Sequence, residues 1–202
     1  VIRTRAAEGG GPDEELEIDA NSSAWSPDGV LFVERSGDIW VWALAERSVS
    51  PFLETPFRER NVALSKDGRL VAYDSDETGQ TEVYVRTFPD SGKRWRVSTE
   101  GGRHAAFRRD GGEIYYVTAD GWLVAVTVTL RPSTGAGTQE DLRFGQPQKL
   151  FALDQKDEAR ARQFDTLDGE TFIVNRTRRS GSRTPLTLVL NVDLEERAPR
   201  PD

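Results

Sequence analysis

The sequence predicts an all-β chain built from repeated four-stranded antiparallel sheets. An Asp-Gly pair stands between two apolar, β-prone segments at four places along the chain, which is a hairpin signal. The pairs recur after about 40 residues, with a longer third interval, and such a period is typical of the blades of a β-propeller. Helical patterns are weak throughout, whereas 18 Gly and 10 Pro suit short strands joined by tight turns. We therefore expect a propeller.

The repeated turns explain why the same letters recur. In the first turn, Pro27 presets φ for one central position, aspartate suits the next, and glycine takes the left-handed conformation that closes the turn. Lysine and arginine replace the proline in the second and third turns without cost to this geometry. A structural role in the turns is therefore predicted for eight residues: Asp28, Gly29, Asp67, Gly68, Asp110, Gly111, Asp168 and Gly169.

The turns divide the chain into units, which we treat as one propeller region. Their middle strands are apolar on successive residues, as expected when neighbouring blades cover both faces of a sheet. The third blade contains a Gly/Ser/Thr-rich segment that predicts an exposed loop insertion at residues 131–143. The predicted order is a half blade at 1–20, blades at 21–60, 61–100 and 101–153, a last blade at 160–191 and a tail at 192–202.

Composition excludes several classes of function. A net charge of -7 disfavours binding to phosphate backbones, so no nucleic-acid partner is expected. No window approaches the ~20 apolar residues of a membrane helix, so we expect no membrane contact by this segment. The absence of cysteine removes disulfides, thiolate metal sites and cysteine nucleophiles. No cofactor is predicted.

Individual candidate residues carry little chemistry. His104 is the only histidine, which excludes a multi-histidine metal centre, and its place after two glycines predicts a solvated loop residue. Residues 74–79 begin like a calcium loop, but position twelve of that pattern is Val85 rather than glutamate, which favours a polar hairpin turn. Arginines 176, 178, 179 and 183 are expected at a solvated hairpin tip. We predict no catalytic and no metal-binding residue, and the sequence assigns no binding residue.

The tryptophans are better candidates for packing than for ligand stacking. They fall mostly at strand positions, where their rings would lie between blades. Alternation along one predicted strand places two of them, Trp40 and Trp42, on the same face. The full set is Trp25, Trp40, Trp42, Trp95 and Trp122.

The repeat resembles a known family. The segments SPDGVLFVERSGDIWVW from Ser26 and EVYVRTFP from Glu82, the latter followed by WRVS and a Gly-Gly pair, resemble the Pro-Asp-Gly, WD-like repeat of TolB-like six-bladed β-propellers. More narrowly, they resemble the C-terminal propellers of bacterial membrane-anchored serine/threonine protein kinases. The resemblance covers residues 1–191. None of the glycine-rich, His-Arg-Asp or Asp-Phe-Gly motifs of kinase chemistry is present in the sequence.

The resemblance implies a partial six-bladed propeller of about four to five blades. On this interpretation the N-terminal blades of the same chain are missing and would be a partner of the present ones. The resemblance also implies a periplasmic or extracytoplasmic location, tethered through an upstream membrane segment.

The expected function is that of a non-catalytic binding or sensor module in the C-terminal part of a larger bacterial protein. It would take a protein, a peptide or a small ligand at the mouth of the channel. Two alternatives remain open at this stage. One is a regulatory propeller attached to a serine/threonine kinase or a peptidase, and the other is a hydrolase or lyase active within the propeller.

Overall fold

A computed structural model describes residues 2–4, 14–16, 21–89, 92–131, 141–153, 164–166, 168–175 and 188–189. Every regular element in these ranges is a β-strand, and the strands form antiparallel sheets. The predicted all-β fold class is confirmed. Among the described residues, no helix is long and apolar enough to cross a membrane.

The chain begins with a hairpin and two four-stranded sheets. The hairpin pairs β1 (Ile2–Thr4) with β2 (Glu14–Leu16). In each four-stranded sheet, strands that follow one another along the chain are also neighbours in space. Sheet I contains β3 (Asn21–Trp25), β4 (Val30–Arg35), β5 (Asp38–Ala43) and β6 (Ser48–Leu53). Sheet II contains β7 (Glu59–Leu64), β8 (Leu70–Ser75), β9 (Glu82–Thr87) and β10 (Arg94–Arg96).

Sheet III differs from the prediction because its third strand is long. The strand pairs β15 along its first half and β14 along its second half. Arg131 and residues 141–143, expected in a loop insertion, therefore lie in strands, while residues 132–140 are outside the described residues. The alternation of β-prone residues continues past the expected strand end, and Leu142 is buried against the core. The strands are β11 (Gly102–Phe107), β12 (Glu113–Thr118), β13 (Trp122–Arg131), β14 (Asp141–Phe144) and β15 (Gln148–Ala152).

Sheet IV closes the described part of the chain with three strands. They are β16 (Phe164–Thr166), β17 (Phe172–Val174) and β18 (Leu188–Val189). The Asp-Gly turns join the first two strands of sheets I to IV, and their glycines have φ values of 79°, 72°, 77° and 79° in chain order. In the first three turns the glycine N–H donates to the carbonyl three residues earlier, at 3.1, 2.9 and 2.9 Å.

The core lies between the sheets, which explains the continuous apolar segments. In β12, Ile114 and Tyr116 pack toward sheet II, whereas Tyr115 and Val117 pack toward sheet IV. Successive residues of one strand thus serve two different interfaces, as stacking of blades requires. Between sheets I and II, the rings of Phe32, Phe52 and Phe88 meet edge to face, with centroids 5.0 to 5.8 Å apart.

Four of the five tryptophans pack against clusters of buried residues. Trp40 and Trp42 lie together in one cluster on sheet I, as alternation predicts, and Trp95 and Trp122 pack against the cluster between sheets II and III. Trp25 is the exception, because 53% of its surface is exposed.

Candidate functional site

The first strands of sheets I, II and III contact one another, and we call this side of the stack the inner edge. Strand β7 contacts both β3 of sheet I and β11 of sheet III. We call the end of the sheets at which these first strands begin the loop end. The opposite end, where the first strands run into the Asp-Gly turns, is the turn end. Side chains near the start of β7 and β11 therefore lie on the inner edge at the loop end.

Two of the inner strands carry the same irregularity. The pairing of β7 with β8 shifts between Arg60 and Ala63, and the pairing of β11 with β12 shifts between Arg103 and Ala106. Each shift is a β-bulge, in which the inner strand holds one extra residue. The bulge residues Asn61 and His104 have φ values of 57° and 58°. A left-handed conformation is uncommon for non-glycine residues but is tolerated best by residues such as Asn and His.

The bulges connect each sheet to the next. The Asn61 N–H donates to Glu34 Oε1 of sheet I at 2.6 Å. One repeat later, the His104 N–H donates to both carboxylate oxygens of Asp74 in sheet II at 3.1 Å. The Asn61 side-chain amide also donates to Asp74 Oδ2 at 2.6 Å. We call Glu34, Asn61, Asp74 and His104 the inner clamp, because each carboxylate holds a backbone N–H of the following sheet.

Burial makes the charged form of Asp74 less favourable than it is in water. The side chain is completely buried, and this burial raises the pKa of Asp74 to about 7. Hydrogen bonds from Asn61 and His104 and the nearby charge of Arg60 oppose the shift, whereas the Glu34 carboxylate adds to it. Since the oxygens of Asp74 already accept these hydrogen bonds, its role is to position the next inner strand.

The position of His104 corrects one expectation. The residue is not a solvated loop residue, because it lies in β11 and only 5% of its surface is exposed. The bulge turns its backbone N–H toward Asp74, so the residue joins two sheets. A signal was present in the sequence, because His104 and Asn61 stand at the same distance before the Asp of the following Asp-Gly turn.

The segment that begins like a calcium loop is a hairpin turn. Asp74 belongs to the inner clamp, and the residues after Ser75 connect β8 to β9. Asp76 accepts the backbone N–H of Arg58 at 2.9 Å, and Gly79 supplies a φ of 86° in the turn. Among the residues that the structure describes, no three acidic or histidine side chains form a possible metal site.

Loop 54–58, which links β6 to β7 at the loop end, is fixed by hydrogen bonds. The Thr55 N–H donates to Asp38 Oδ1 at 3.3 Å, and the Thr55 hydroxyl donates to Glu59 Oε1 at 2.7 Å. The same hydroxyl accepts the Phe57 N–H at 3.1 Å. With the bond between Arg58 and the β8–β9 turn, the loop is tied to both sheets that it connects.

The buried carboxyl of Glu59 completes this support. Only 2% of the residue is exposed, and Glu59 Oε1 accepts hydroxyl groups from Thr55 and Ser75. Burial raises the pKa of Glu59, the two hydroxyl groups lower it, and the carboxylates of Asp38 and Asp76 raise it again. Because Glu59 accepts the Thr55 hydroxyl, its buried carboxyl helps to fix the conformation of loop 54–58.

The fixed loop presents exposed side chains. Phe57 keeps 42% of its surface exposed, and Arg58 beside it is also exposed. Arg60 is exposed two residues further on, and Arg103 holds the equivalent position of β11, where it is partly exposed. We call Phe57, Arg58, Arg60 and Arg103 the loop-end patch. An aromatic ring beside guanidinium groups can bind apolar and anionic groups of a ligand.

Two buried hydroxyl groups donate hydrogen bonds to carboxylates and have a structural role in the core. The Ser98 hydroxyl donates to Glu82, and both residues are fully buried. The Tyr115 hydroxyl donates to Glu113 Oε2 at 2.5 Å, and these residues are 0% and 4% exposed. A substrate cannot reach a nucleophile that is shielded in this way. The four arginines from 176 to 183, expected at a solvated hairpin tip, lie outside the described residues.

Comparison with known proteins identifies the fold. No protein-family profile matches the chain, and no curated protein matches it. Among solved structures, a putative TolB from Agrobacterium tumefaciens is similar with a TM-score of 0.51 and 18% identity, over 72% of this chain and 54% of that chain. The β-propeller domain of Cps50 (Swd1) from Myceliophteria thermophila is similar with a TM-score of 0.51 and 13% identity, over 77% and 48%.

These similarities establish a TolB-like β-propeller fold, as the repeat predicts. At such identities they establish the fold alone. The chain spans about half the length of both solved chains, 54% and 48%. Its residues therefore correspond to part of a propeller of that size.

Proposed function

We propose that this chain is a non-catalytic interaction module that binds a protein, a peptide or a small ligand through the loop-end patch. The observation that carries the proposal is the exposure of Phe57 on a loop whose backbone is held by hydrogen bonds to both neighbouring sheets. Exposing a large apolar ring to water is unfavourable, and fixing it in place avoids part of the entropy lost on binding. Both features suit an anchor residue of an interface.

Support also comes from the division of roles along the inner edge. The two carboxylates of the inner clamp, buried Asp74 and partly buried Glu34, accept backbone N–H groups of the next sheet. Of the arginines beside them, Arg60 is exposed and Arg103 is partly exposed. The hydrogen bonds that fix loop 54–58 use backbone N–H groups, the Thr55 hydroxyl and carboxylates, and they leave the ring of Phe57 exposed. Binding residues carried on loops at one end of a rigid stack are a common arrangement in repeat proteins.

A peptide selection tests this proposal. A random library of short peptides displayed on phage is selected against the purified chain and, in parallel, against Phe57→Ser. Val49→Ala is the matched control, because Val49 is an exposed apolar residue on β6, with 39% of its surface exposed. We expect peptides that bind the wild-type chain and Val49→Ala equally and bind Phe57→Ser at least tenfold more weakly. Failure to select any peptide that depends on Phe57 would refute the proposal.

The resemblance to kinase-associated propellers motivates a narrower version. In it, the chain is the sensor end of a larger bacterial protein that carries a serine/threonine kinase domain upstream. The segments EVYVRTFP and WRVS support this context. Sequencing the native gene upstream of Val1 tests it, because the narrower version requires kinase motifs in the same reading frame. If no kinase motifs are found, the narrower version is wrong, and the proposal of an interaction module is unaffected.

A further inference from the structure

We propose that Glu59 is a proton-dependent latch for loop 54–58, which holds Phe57 in place while the Glu59 carboxyl is protonated and releases the loop when that carboxyl ionises. The latch is a property of the chain without a ligand, and its consequence for binding rests on the proposed function. The inference starts from an unequal division of hydrogen bonds between the two oxygens of this buried carboxyl.

The two carboxyl oxygens of Glu59 have different surroundings. Oε1 accepts the Thr55 hydroxyl at 2.7 Å and the Ser75 hydroxyl at 3.2 Å. Oε2 is buried and has no hydrogen-bond partner among the described residues. A buried carboxylate with such an oxygen loses the hydration of a charge without replacing it, whereas a neutral carboxyl loses much less. Protonation of Glu59 therefore lowers the cost of keeping the group buried.

The charged groups around Glu59 add to this preference. Burial raises the pKa of Glu59 most, two hydroxyl groups lower it, and the carboxylates of Asp38 and Asp76 raise it. These two carboxylates act on Glu59 from other elements, because Asp38 begins β5 and Asp76 follows β8. The two arginines that flank Glu59 along the chain, Arg58 and Arg60, are exposed. An ionised Glu59 would thus be a buried charge beside other negative charges.

Loop 54–58 is the part of the structure that can open to let water reach Glu59. Of the two residues that donate hydroxyl groups to its carboxyl, Ser75 is 1% exposed and belongs to β8, whereas Thr55 is partly exposed and belongs to the loop. The other four positions between β6 and Glu59 are all exposed. The loop can therefore open without separating paired strands, and such local opening costs less than unfolding of the whole chain.

The direction of the switch follows from the raised pKa of Glu59. The group holds its proton more firmly under the closed loop than in water, where its pKa has the ordinary value of 4.5. The stability that protonation gives to the closed loop is complete below that value and is lost as the pH rises through the raised pKa. We therefore expect the loop to be closed in acid and to open more often as the pH rises.

Hydrogen exchange of the loop, measured by NMR, tests the latch. The backbone N–H groups of Thr55, Phe57 and Arg58 all donate within the closed loop or to its two neighbouring sheets. Their exchange rates between pH 4 and pH 7 are converted to protection factors, which removes the pH dependence of the exchange chemistry itself. Protection should fall with rising pH in the wild type. It should stay constant in Glu59→Gln, because the amide cannot ionise and its oxygen can still accept the Thr55 hydroxyl.

Two controls separate the latch from other effects of pH. Glu54→Gln removes a carboxylate from an exposed position of the same loop and should follow the wild type. The N–H of Val85, which is fully buried in sheet II, reports opening of the whole sheet, including any effect of Asp74. If Glu59→Gln fails to fold, a carboxyl NMR titration of the wild type replaces it, in which the Glu59 signal and the loop N–H signals should shift at the same pH.

The outcomes distinguish the latch from the proposed function. Loop protection that is independent of pH in the wild type, or that falls equally in Glu59→Gln, would overturn the latch. A selected peptide that depends on Phe57 should lose more affinity between pH 5 and pH 7 with the wild type than with Glu59→Gln. If such a peptide binds but loop protection does not depend on residue 59, the interaction module stands and the latch is wrong. If protection follows Glu59 but no peptide depends on Phe57, the latch stands and the proposed function fails.

Discussion

Replacing Asp74 with asparagine should remove a pH dependence from the stability of the chain. Asp74 is fully buried in the inner clamp with a pKa of about 7, compared with 3.8 for a free side chain. Its pKa is raised on folding, so the unfolded chain releases this proton more readily than the folded chain does. The stability that the protonated group confers is complete below about pH 4 and is lost progressively as the pH rises to about 7.

The magnitude follows from the two pKa values. Each pH unit between them changes the free energy of unfolding by about 1.36 kcal/mol. Going from pH 5 to pH 8 crosses about two of those units, because the loss levels off above the folded-state pKa. Wild-type stability should therefore fall by about 3 kcal/mol more than that of Asp74→Asn over this interval. The uncharged amide has no proton to lose, and the amide oxygen can still accept the His104 N–H.

The assay is urea denaturation followed by tryptophan fluorescence at pH 5, 6, 7 and 8. Both proteins contain His104, so the comparison changes only residue 74. Asp28→Asn is the matched control, because it removes the same charge from an exposed turn and should follow the wild type. A carboxyl NMR titration gives a second readout, in which the Asp74 signal should shift between pH 6 and 8.

Two results would refute this reasoning. One is a parallel loss of stability in wild type and Asp74→Asn, within about 0.5 kcal/mol from pH 5 to pH 8. The other is an Asp74 carboxyl signal that titrates near its free value. Either would mean that water or a cation reaches Asp74 and that the inner clamp is not closed to solvent.

Two further predictions concern the stacking of the sheets. Gly29→Ala should cost about 1 kcal/mol for its positive φ alone, since a methyl group there meets no atom within 4 Å. Gly68→Ala should lower the free energy of unfolding by at least about 1 kcal/mol more than Gly29→Ala does, because its methyl group would lie 2.9 Å from Pro27 Cδ in sheet I. Equal losses of stability in the two variants, measured by urea denaturation, would contradict this. Phe32→Ala should lower the free energy of unfolding by about 3 to 5 kcal/mol, because it removes the ring that meets two phenylalanines between sheets I and II. The control Val49→Ala should change it by no more than about 0.5 kcal/mol. A similarly small effect of Phe32→Ala would show that the interface is not packed.

Local sequence signals were sufficient to predict the repeat. The Asp-Gly turns and the apolar middle strands depend on residues that are close in the chain, since turn conformation and strand pairing across a short turn are local properties. The loop insertion at 131–143 was predicted partly wrongly for a related reason. Its polar composition favoured a loop, whereas the burial of Leu142 against another sheet, a non-local interaction, keeps the adjoining residues in strands.

The sequence by itself therefore determined the all-β class, the repeat and the stacking of sheets on both faces. Tertiary structure decided the roles of particular polar residues. His104 and Asp74 are separated by 30 residues, and only the stacking of sheet III on sheet II brings the N–H of one to the carboxylate of the other. Likewise, Phe57 is a candidate binding residue only because hydrogen bonds to Asp38 and Asp76 fix the backbone of its loop. Burial and distance between sheets are properties of the folded chain, so no local pattern encodes them.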